Sequence, residues 1–233
     1  MKLLGVISGM GTRAGLFFIN KLIDGLDVKK DQDFPEFFLH NNSRVPDRTR
    51  AILYDEASPL EELKRSIATM NRCNVEVIVS TCVTAYHFIE QIKHESNALI
   101  LNPVELVRNK IEADHGSNQK IGLLCTSGTL HSKMFHRAFA GTGHELITMD
   151  PDQQEDIFMR AVYMDNGLKS VNISEEAYQL LDKAVQELIA RGAEIIIGGC
   201  SEVQIGLRQG QVNAHYIDTM DVLAEATLHA IQS

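Results

Sequence analysis

The sequence predicts an α/β fold of two similar lobes, each a parallel sheet flanked by helices. Short, β-branched apolar runs alternate along the chain with longer amphipathic stretches. The runs lack polar alternation, as expected for strands buried on both faces. The pattern also repeats, because Gly5 and Gly122 are 117 positions apart and Cys82 and Cys200 are 118 apart. This repeat predicts two lobes related by a pseudo-twofold axis, with an active site between them.

Strands and helices are expected in strict alternation over the first half of the chain. Strands are expected over residues 3–8, 34–40, 75–80 and 99–101, and helices over 14–26, over 59–72, from 85 and from 103. Pro35 weakens the start of the second strand, because proline cannot donate to the hydrogen-bond ladder. A polar loop is expected over residues 41–49.

The second half repeats this order from Lys120 onward. Strands are expected over residues 120–124, 145–148, 193–197 and 215–218, with a turn at 126–129, long helices between 148 and 193, and an amphipathic helix to 231. Ligands of open parallel sheets bind beyond the carboxyl ends of the strands. The turn at Gly9, Cys82, the turn at Thr126 and Cys200 all follow such ends, so we expect the functional residues there.

Composition excludes several classes of partner. The net charge of −9 over 233 residues argues against nucleic acid. No apolar stretch approaches the roughly 18 residues of a membrane span, so no membrane partner is expected. The four cysteines lack the spacing of a disulfide framework or a zinc site, and the nine histidines form no metal-binding motif. We therefore expect no metal, and a cytoplasmic location where thiols stay reduced.

Two polar segments at strand ends are candidates for binding an anion. Gly9-x-Gly11-x-x-Ala14 matches the dinucleotide fingerprint, but residues 40–42 at the next strand end lack the acidic residue that holds a ribose. A turn whose amide groups meet a substrate carboxylate explains the pattern better. Arg48 is either part of a solvated loop or a carboxylate clamp.

Taken together, these motifs resemble one family, the cofactor-independent aspartate/glutamate racemases, with the aspartate racemases as the most similar branch. The resemblance covers nearly the whole chain and rests on residues 9–11, 41–42, 46–49, 82–86, 126–129, 199–203 and 217–222. It implies two α/β lobes, residues 1–98 plus 206–233 and residues 99–205, with the C-terminal helix returning to the first. It also implies a reaction without a cofactor, and we expect a homodimer.

The resemblance assigns roles to individual residues. The two catalytic cysteines of the family match Cys82 and Cys200, and its substrate-binding arginine matches Arg48. The other expected substrate-binding residues are Met10, Gly11, Val83, Thr84, Ala85, Ser127, Thr129, Ser201, Glu202 and Lys169.

Three places depart from the family pattern. The first cysteine loop usually reads Cys-Asn-Thr-Ala-His, whereas here Val83 replaces Asn and Tyr86 replaces His. Ser201 stands where Thr is usual, which keeps the hydroxyl group. The family lysine a few residues beyond Tyr163 is absent, so either Lys169 substitutes for it or the contact is lost.

The sequence thus predicts a PLP-independent racemase that interconverts the L and D forms of an amino acid, aspartate or glutamate by preference. One thiolate would remove the α-proton and the opposite thiol would return one, with Cys82 and Cys200 on opposite faces of the α-carbon. Two alternatives stay open. One is a maleate-isomerase-like or decarboxylase-like enzyme acting on a dicarboxylate, and the other is a non-catalytic two-lobed binder of small molecules.

Overall fold

The computed structural model describes residues 1–207 and 212–233, and these form two four-stranded sheets flanked by helices. All strand pairs are parallel. The strands are β1 (Leu4–Ser8), β2 (Phe37–Asn41), β3 (Val77–Ser80), β4 (Leu99–Ile100), β5 (Lys120–Leu124), β6 (Glu145–Ile147), β7 (Ile195–Gly198) and β8 (His215–Asp218).

Helices connect successive strands on both faces of the sheets. They are α1 (Thr12–Asp24), α2 (Arg48–Tyr54), α3 (Leu60–Arg72), α4 (Tyr86–Ile92), α5 (Pro103–His115), α6 (Ser127–His131), α7 (Met134–Ala138), α8 (Pro151–Gln153), α9 (Arg160–Tyr163), α10 (Glu175–Ala190), α11 (Val203–Gly206) and α12 (Thr219–Gln232). A π-helical turn, Gln154–Met159, joins α8 to α9 without a break.

The two sheets have the same strand order, so the predicted duplication is confirmed at the level of the fold. The order is β2-β1-β3-β4 in one sheet and β6-β5-β7-β8 in the other. The register also corresponds, because Gly5 pairs with Ile78 on β3 and Gly122 pairs with Ile196 on β7. The predicted two-lobed α/β fold is therefore correct.

The same apolar spacing fixes one covering helix on each sheet. On α3, Leu63, Ile67 and Met70 are buried at i, i+4 and i+7. On α10, Leu181 and Leu188 are buried at i and i+7 around the i+4 residue Val185. Such spacing places the side chains on one helical face, and full burial of each large aliphatic side chain contributes roughly 1.5–3 kcal/mol. Each sheet thus has a core of its own.

The chain divides into two compact units whose boundaries differ from the expected ones. The first comprises Met1–Leu106 and Met220–Ser233, and the second comprises Val107–Thr219. Leu99–Ile100 belongs to the first sheet because it pairs with β3, and His215–Asp218 belongs to the second because it pairs with β7. Residues 208–211, which the expected first lobe includes, lie outside the described residues.

The expected polar loop over residues 41–49 was wrong at its end, because helix α2 begins within it. The Asp47 side chain caps this helix by accepting a hydrogen bond of 2.9 Å from the Arg50 amide. An N-cap of this kind supports even a short helix. Arg48 and Thr49 are therefore helical, and both are buried.

No helix in residues 1–207 or 212–233 has both the length and the apolar character that a membrane span requires.

Candidate active site

The turn after β1 is shaped by Gly9, which has a φ of +96°. A Cβ atom at this position would lie 2.3 Å from the carbonyl carbon of Asn42, so no other residue fits without displacing the end of β2. Met10 follows and is buried, and Gly11 is the N-cap of helix α1, which has no side-chain cap. The first turn of α1 holds no acidic residue. A helix N-terminus without an acidic residue or a side-chain cap is suited to an anion.

Arg48 is a buried cation that joins two loops of the first unit. Its Nη1 donates to the Pro46 carbonyl at 3.0 Å and its Nη2 donates to the Met10 carbonyl at 2.9 Å. Only 7% of the residue is exposed. The side chain thus brings the start of α2 to the turn at Gly9, and these contacts go to backbone carbonyls rather than to a carboxylate.

Cys82 lies two residues beyond β3, in extended backbone that leads into a 3-10 turn, Val83–Ala85. Its amide donates to the Ser80 hydroxyl at 3.4 Å, and its carbonyl accepts from the Ala85 amide at 3.1 Å. The cysteine is 6% exposed. Val83 and Ala85, which follow Cys82 in this turn, are both buried.

Tyr86 stabilises this loop, which the sequence did not predict. Its hydroxyl accepts a hydrogen bond of 2.9 Å from the Ser80 amide at the end of β3. Burial of the ring, with the Cys82 sulfur nearby as a smaller cause, raises the pKa of Tyr86 well above its usual range. A buried tyrosine hydroxyl normally has a hydrogen-bond partner, and this rule could have predicted a contact for Tyr86.

In the second unit, the turn at Thr126 caps helix α6. The Thr126 Oγ1 accepts from the Thr129 amide at 3.2 Å and lies 3.1 Å from the Thr129 hydroxyl. The Ser127 hydroxyl donates to Glu155, a residue of the π-helical turn. Both hydroxyls expected to bind substrate therefore contact protein groups in this structure.

Cys200 lies two residues beyond β7, as Cys82 does beyond β3. It follows Gly199, where a Cβ atom would lie 2.9 Å from the Cβ of Cys125 and 3.3 Å from the Phe135 ring. The glycine therefore lets the loop pack against the second core. Cys125 itself is fully buried, and this burial raises the pKa of its thiol far above the usual range.

A charged cluster surrounds Cys200. Its thiol donates to Oε2 of Glu202 at 3.0 Å, and the Ser201 hydroxyl donates to the same oxygen at 3.3 Å. Lys169 Nζ donates to the other oxygen, Oε1, at 2.7 Å. Burial and the Glu202 carboxylate raise the pKa of Cys200 well above its usual value, while Lys169 acts in the opposite direction. The thiol form of Cys200 is therefore favoured.

Lys169 is brought to this cluster from six residues beyond Tyr163. Its Nζ lies 5.4 Å from the centre of the Tyr163 ring, within cation–π range. The intervening segment is held by a 2.9 Å bond from the Leu168 amide to the Ala161 carbonyl. Lys169 thus contacts Tyr163 despite the departure in spacing.

Each unit gathers its own share of the expected site residues. Met10, Gly11 and Arg48 meet at the turn after β1, and Cys200, Ser201, Glu202 and Lys169 form one cluster after β7. Thr84 is buried in the Cys82 loop, and Ser127 and Thr129 lie at the start of α6. Within the described residues, no group of three or more His, Cys, Asp or Glu side chains is arranged to hold a metal ion.

The fold is shared with solved amino-acid racemases. Aspartate racemase from Picrophilus torridus matches with a TM-score of 0.87 and 23% identity, over 100% of this chain and 95% of that one. Glutamate racemase from Aquifex pyrophilus matches with a TM-score of 0.65 and 19% identity, over 99% of this chain and 83% of that one. At these identities the likeness shows the fold.

Sequence comparison gives the family. RacX from Bacillus subtilis, described as a broad specificity amino-acid racemase, is 25% identical over 235 residues, which cover 97% of this chain and 96% of RacX. The family model for Asp/Glu/hydantoin racemases matches residues 7–227. Because that match spans both units and both cysteine loops, the chain belongs to the Asp/Glu/hydantoin racemase family and is a racemase, an enzyme of the isomerase class.

Proposed function

We propose that this racemase interconverts amino-acid enantiomers without pyridoxal phosphate or a metal, using Cys82 and Cys200 as its two bases. The observation that carries the proposal is their equivalence. Each cysteine lies two residues beyond the strand that pairs with the first strand of its sheet. A duplicated thiol of this kind suits a reaction that needs one proton acceptor and one proton donor.

In the proposed reaction, the two sulfurs account for every proton that is removed from or returned to the substrate. A thiolate on one cysteine takes the α-proton, so an S–H bond forms as the C–H bond breaks and the electron pair stays on the substrate. The thiol of the other cysteine then gives its proton to the opposite face of the α-carbon and becomes a thiolate. The enantiomer leaves, and the two sulfurs have exchanged protonation states.

Charge develops on the substrate carboxylate while the α-carbon lacks a proton, and hydrogen-bond donors must stabilise it there. The uncapped start of α1 after Gly11 offers backbone amides in the first unit. Thr84, Ser127, Thr129 and Ser201 remain the proposed hydroxyl donors. The hydroxyls of Ser127, Thr129 and Ser201 have protein partners in this structure, so substrate would have to share or displace those contacts.

For the substrate, we propose aspartate or glutamate by preference, with measurable activity on other amino acids. Arg48 is a buried cation at the carboxyl edge of its sheet, which suits an acidic side chain. Val83 offers no side-chain donor, and Lys169 already contacts Glu202. Fewer dedicated partners mean weaker discrimination. The similarity to RacX, described as a broad specificity racemase, supports the same proposal.

We also propose that the enzyme works as a cytoplasmic homodimer. The first unit exposes large apolar side chains on α1 and on the edge strand β2, namely Leu16, Phe17, Phe37 and Phe38. An interface between two copies that covers some of these side chains would remove them from water. The four cysteines are free thiols, which suits a reducing compartment. Light scattering after size-exclusion chromatography measures the assembly state.

The decisive experiment is isotope exchange at the α-carbon. Each L- and D-amino acid is incubated with the enzyme in D₂O, and α-deuteration is followed by NMR, with EDTA and hydroxylamine present to remove metal and pyridoxal phosphate. We expect deuterium in both enantiomers of aspartate or glutamate. Cys73→Ser serves as the matched control, because Cys73 is a half-buried thiol at the end of α3. Binding without any exchange would instead identify a non-catalytic binder.

A further inference from the structure

The contacts around Cys200 give Glu202 a role other than binding substrate. Its carboxylate is 3% exposed and accepts from Cys200 and Ser201 on one oxygen and from Lys169 on the other. Carboxylate oxygens are acceptors only, and charge-assisted bonds to them are strong. The carboxylate is therefore oriented by its own neighbours in the direction of the thiol.

We infer that Glu202, held by Lys169, is a positioning residue that orients the S–H group of Cys200 and retains its proton, so that the second unit supplies the donor thiol of the resting enzyme. The inference rests on the proposed two-base reaction and adds a division of labour to it. Cys82 is then the sulfur that must be deprotonated for a turnover to begin.

The two charges act on the Cys200 sulfur in opposite directions. When Cys200 gives up its proton, the thiolate lies beside the Glu202 carboxylate, and the repulsion opposes this state. Lys169 offsets the repulsion, because its ammonium group is bound to the same carboxylate. Burial raises the pKa of Cys200 most, the Glu202 carboxylate raises it further, and Lys169 lowers it. Glu202 and Lys169 together thus determine how readily the Cys200 thiol gives up its proton, and the thiol remains protonated in the resting enzyme.

Lys169 is itself confined between two groups. Its Nζ binds Glu202 Oε1 and lies over the Tyr163 ring, and its side chain is 26% exposed. A lysine in this place bonds an internal carboxylate, whereas a lysine that binds a substrate carboxylate would project into an open site. The structure therefore favours tuning of Cys200 over direct substrate binding as the role of Lys169.

The test measures the thiol directly, in the full-length protein without substrate. Iodoacetamide reacts with thiolates, and the alkylation rate of each cysteine is followed at one fixed pH by peptide mass spectrometry. We expect Glu202→Gln to speed alkylation of Cys200 by about threefold or more, since thiolate increases faster than its nucleophilicity falls. Lys169→Met should slow it by a similar factor, and Lys169→Arg should restore the wild-type rate.

Two controls distinguish this role from a structural one. Asp150→Asn removes a carboxylate that binds Arg191 elsewhere in the second unit. This change should leave the alkylation rate of Cys200 unchanged. Cys73 serves as the reference thiol in every sample. If Glu202→Gln and Lys169→Met shift the Cys200 rate in the same direction, the effect is one of packing and the inference is wrong.

A substrate-binding role would give another result, namely a higher KM for both variants with unchanged alkylation of Cys200, and that too would overturn the inference. The alkylation readout does not depend on catalysis. If the two variants shift the alkylation rate of Cys200 in opposite directions but the protein racemises no amino acid, the role of Glu202 and Lys169 is supported and the proposed function is rejected. If the alkylation rate does not shift but the protein is an active racemase, the proposed function is supported and the role of Glu202 and Lys169 is rejected.

Discussion

The two cysteine-bearing strand ends share a backbone plan and differ in their electrostatics. In both units the cysteine lies two residues beyond a buried strand of the same sheet position. Around Cys82, the hydrogen bonds join the neutral groups of Ser80, the Cys82 amide and Tyr86. Around Cys200, a carboxylate and an ammonium group lie in contact.

The two units therefore share strand order and register but differ in the charged groups beside their cysteines. Strand order, register and helix spacing depend on the apolar pattern, which both halves retain. The residues after the strands are constrained less by the core, so they can diverge. The proposed two-base reaction needs one thiolate and one thiol at the start of each turnover, and two unequal surroundings would provide that asymmetry.

The largest expected effect comes from replacing either cysteine. Cys82→Ser and Cys200→Ser should each lower racemisation by about a hundredfold or more, because a hydroxyl is too weak an acid to serve in either role. Chiral chromatography measures the loss. Exchange in D₂O then distinguishes the two units. Each variant should exchange the α-proton of only one enantiomer, the one whose proton faces the remaining thiol. Retention of more than about a tenth of the wild-type rate would contradict the two-base assignment.

Tyr86→Phe tests how the first unit holds its cysteine loop. The change leaves the buried Ser80 amide without its acceptor, so the free energy of unfolding should fall by about 1–3 kcal/mol. Urea denaturation measures it. Tyr216→Phe is the control in the second unit, where a half-buried hydroxyl donates to Asp218 and should matter less. Equal losses would show that the Ser80 contact carries no special weight.

Arg48→Ala should lower the ratio of kcat/KM for aspartate to that for alanine by about tenfold, the value of one charge-assisted hydrogen bond. Steady-state kinetics on both substrates measure this ratio. Arg50→Ala is the matched control, because Arg50 lies on the same helix but pairs with Glu56 at the surface. If both variants keep the wild-type ratio, Arg48 is structural and the first unit contributes no side-chain specificity.

The smallest effects concern two helix caps, one in each unit. Asp47 caps α2 and Ser174 caps α10, and replacing either with Ala should cost about 0.5–2 kcal/mol of stability. Only Asp47→Ala should also raise KM, because α2 begins with Arg48. Thermal unfolding together with kinetics separates the two readouts. A KM change in Ser174→Ala as well would mean that stability alone governs binding.

The fold could be predicted from the sequence because the apolar pattern is local and repeated. Strand β1 was placed to within one residue, and β8 was placed without error. The start of β2 was placed three residues early, because residues 34–36, which include Pro35, form an irregular segment before the strand begins at Phe37. Helix α2 was missed because its formation depends on a cap at Asp47 rather than on periodicity.

The sequence named candidate site residues but not the contacts between them. The family resemblance named Glu202 and Lys169 as expected substrate-binding residues, but not that they bond each other across 33 residues. The roles of Ser80 and Tyr86 depend on a buried amide finding a hydroxyl six residues away, which no short motif encodes. Such contacts depend on how the loops pack, and loop packing depends on the shape of the whole core rather than on any short motif.

The division of the chain also determines the order in which the units can be completed during synthesis. The second unit is continuous, Val107–Thr219, whereas the first needs its final segment, Met220–Ser233. Within that segment the Ile231 carbonyl accepts from the Lys2 amide at 2.7 Å, and Asp221 pairs with Lys21. At roughly 5–20 residues per second, the ribosome needs roughly 6–23 s to make the second unit. During that interval the first unit lacks its closing helix, and the second unit can be the first to reach its native state.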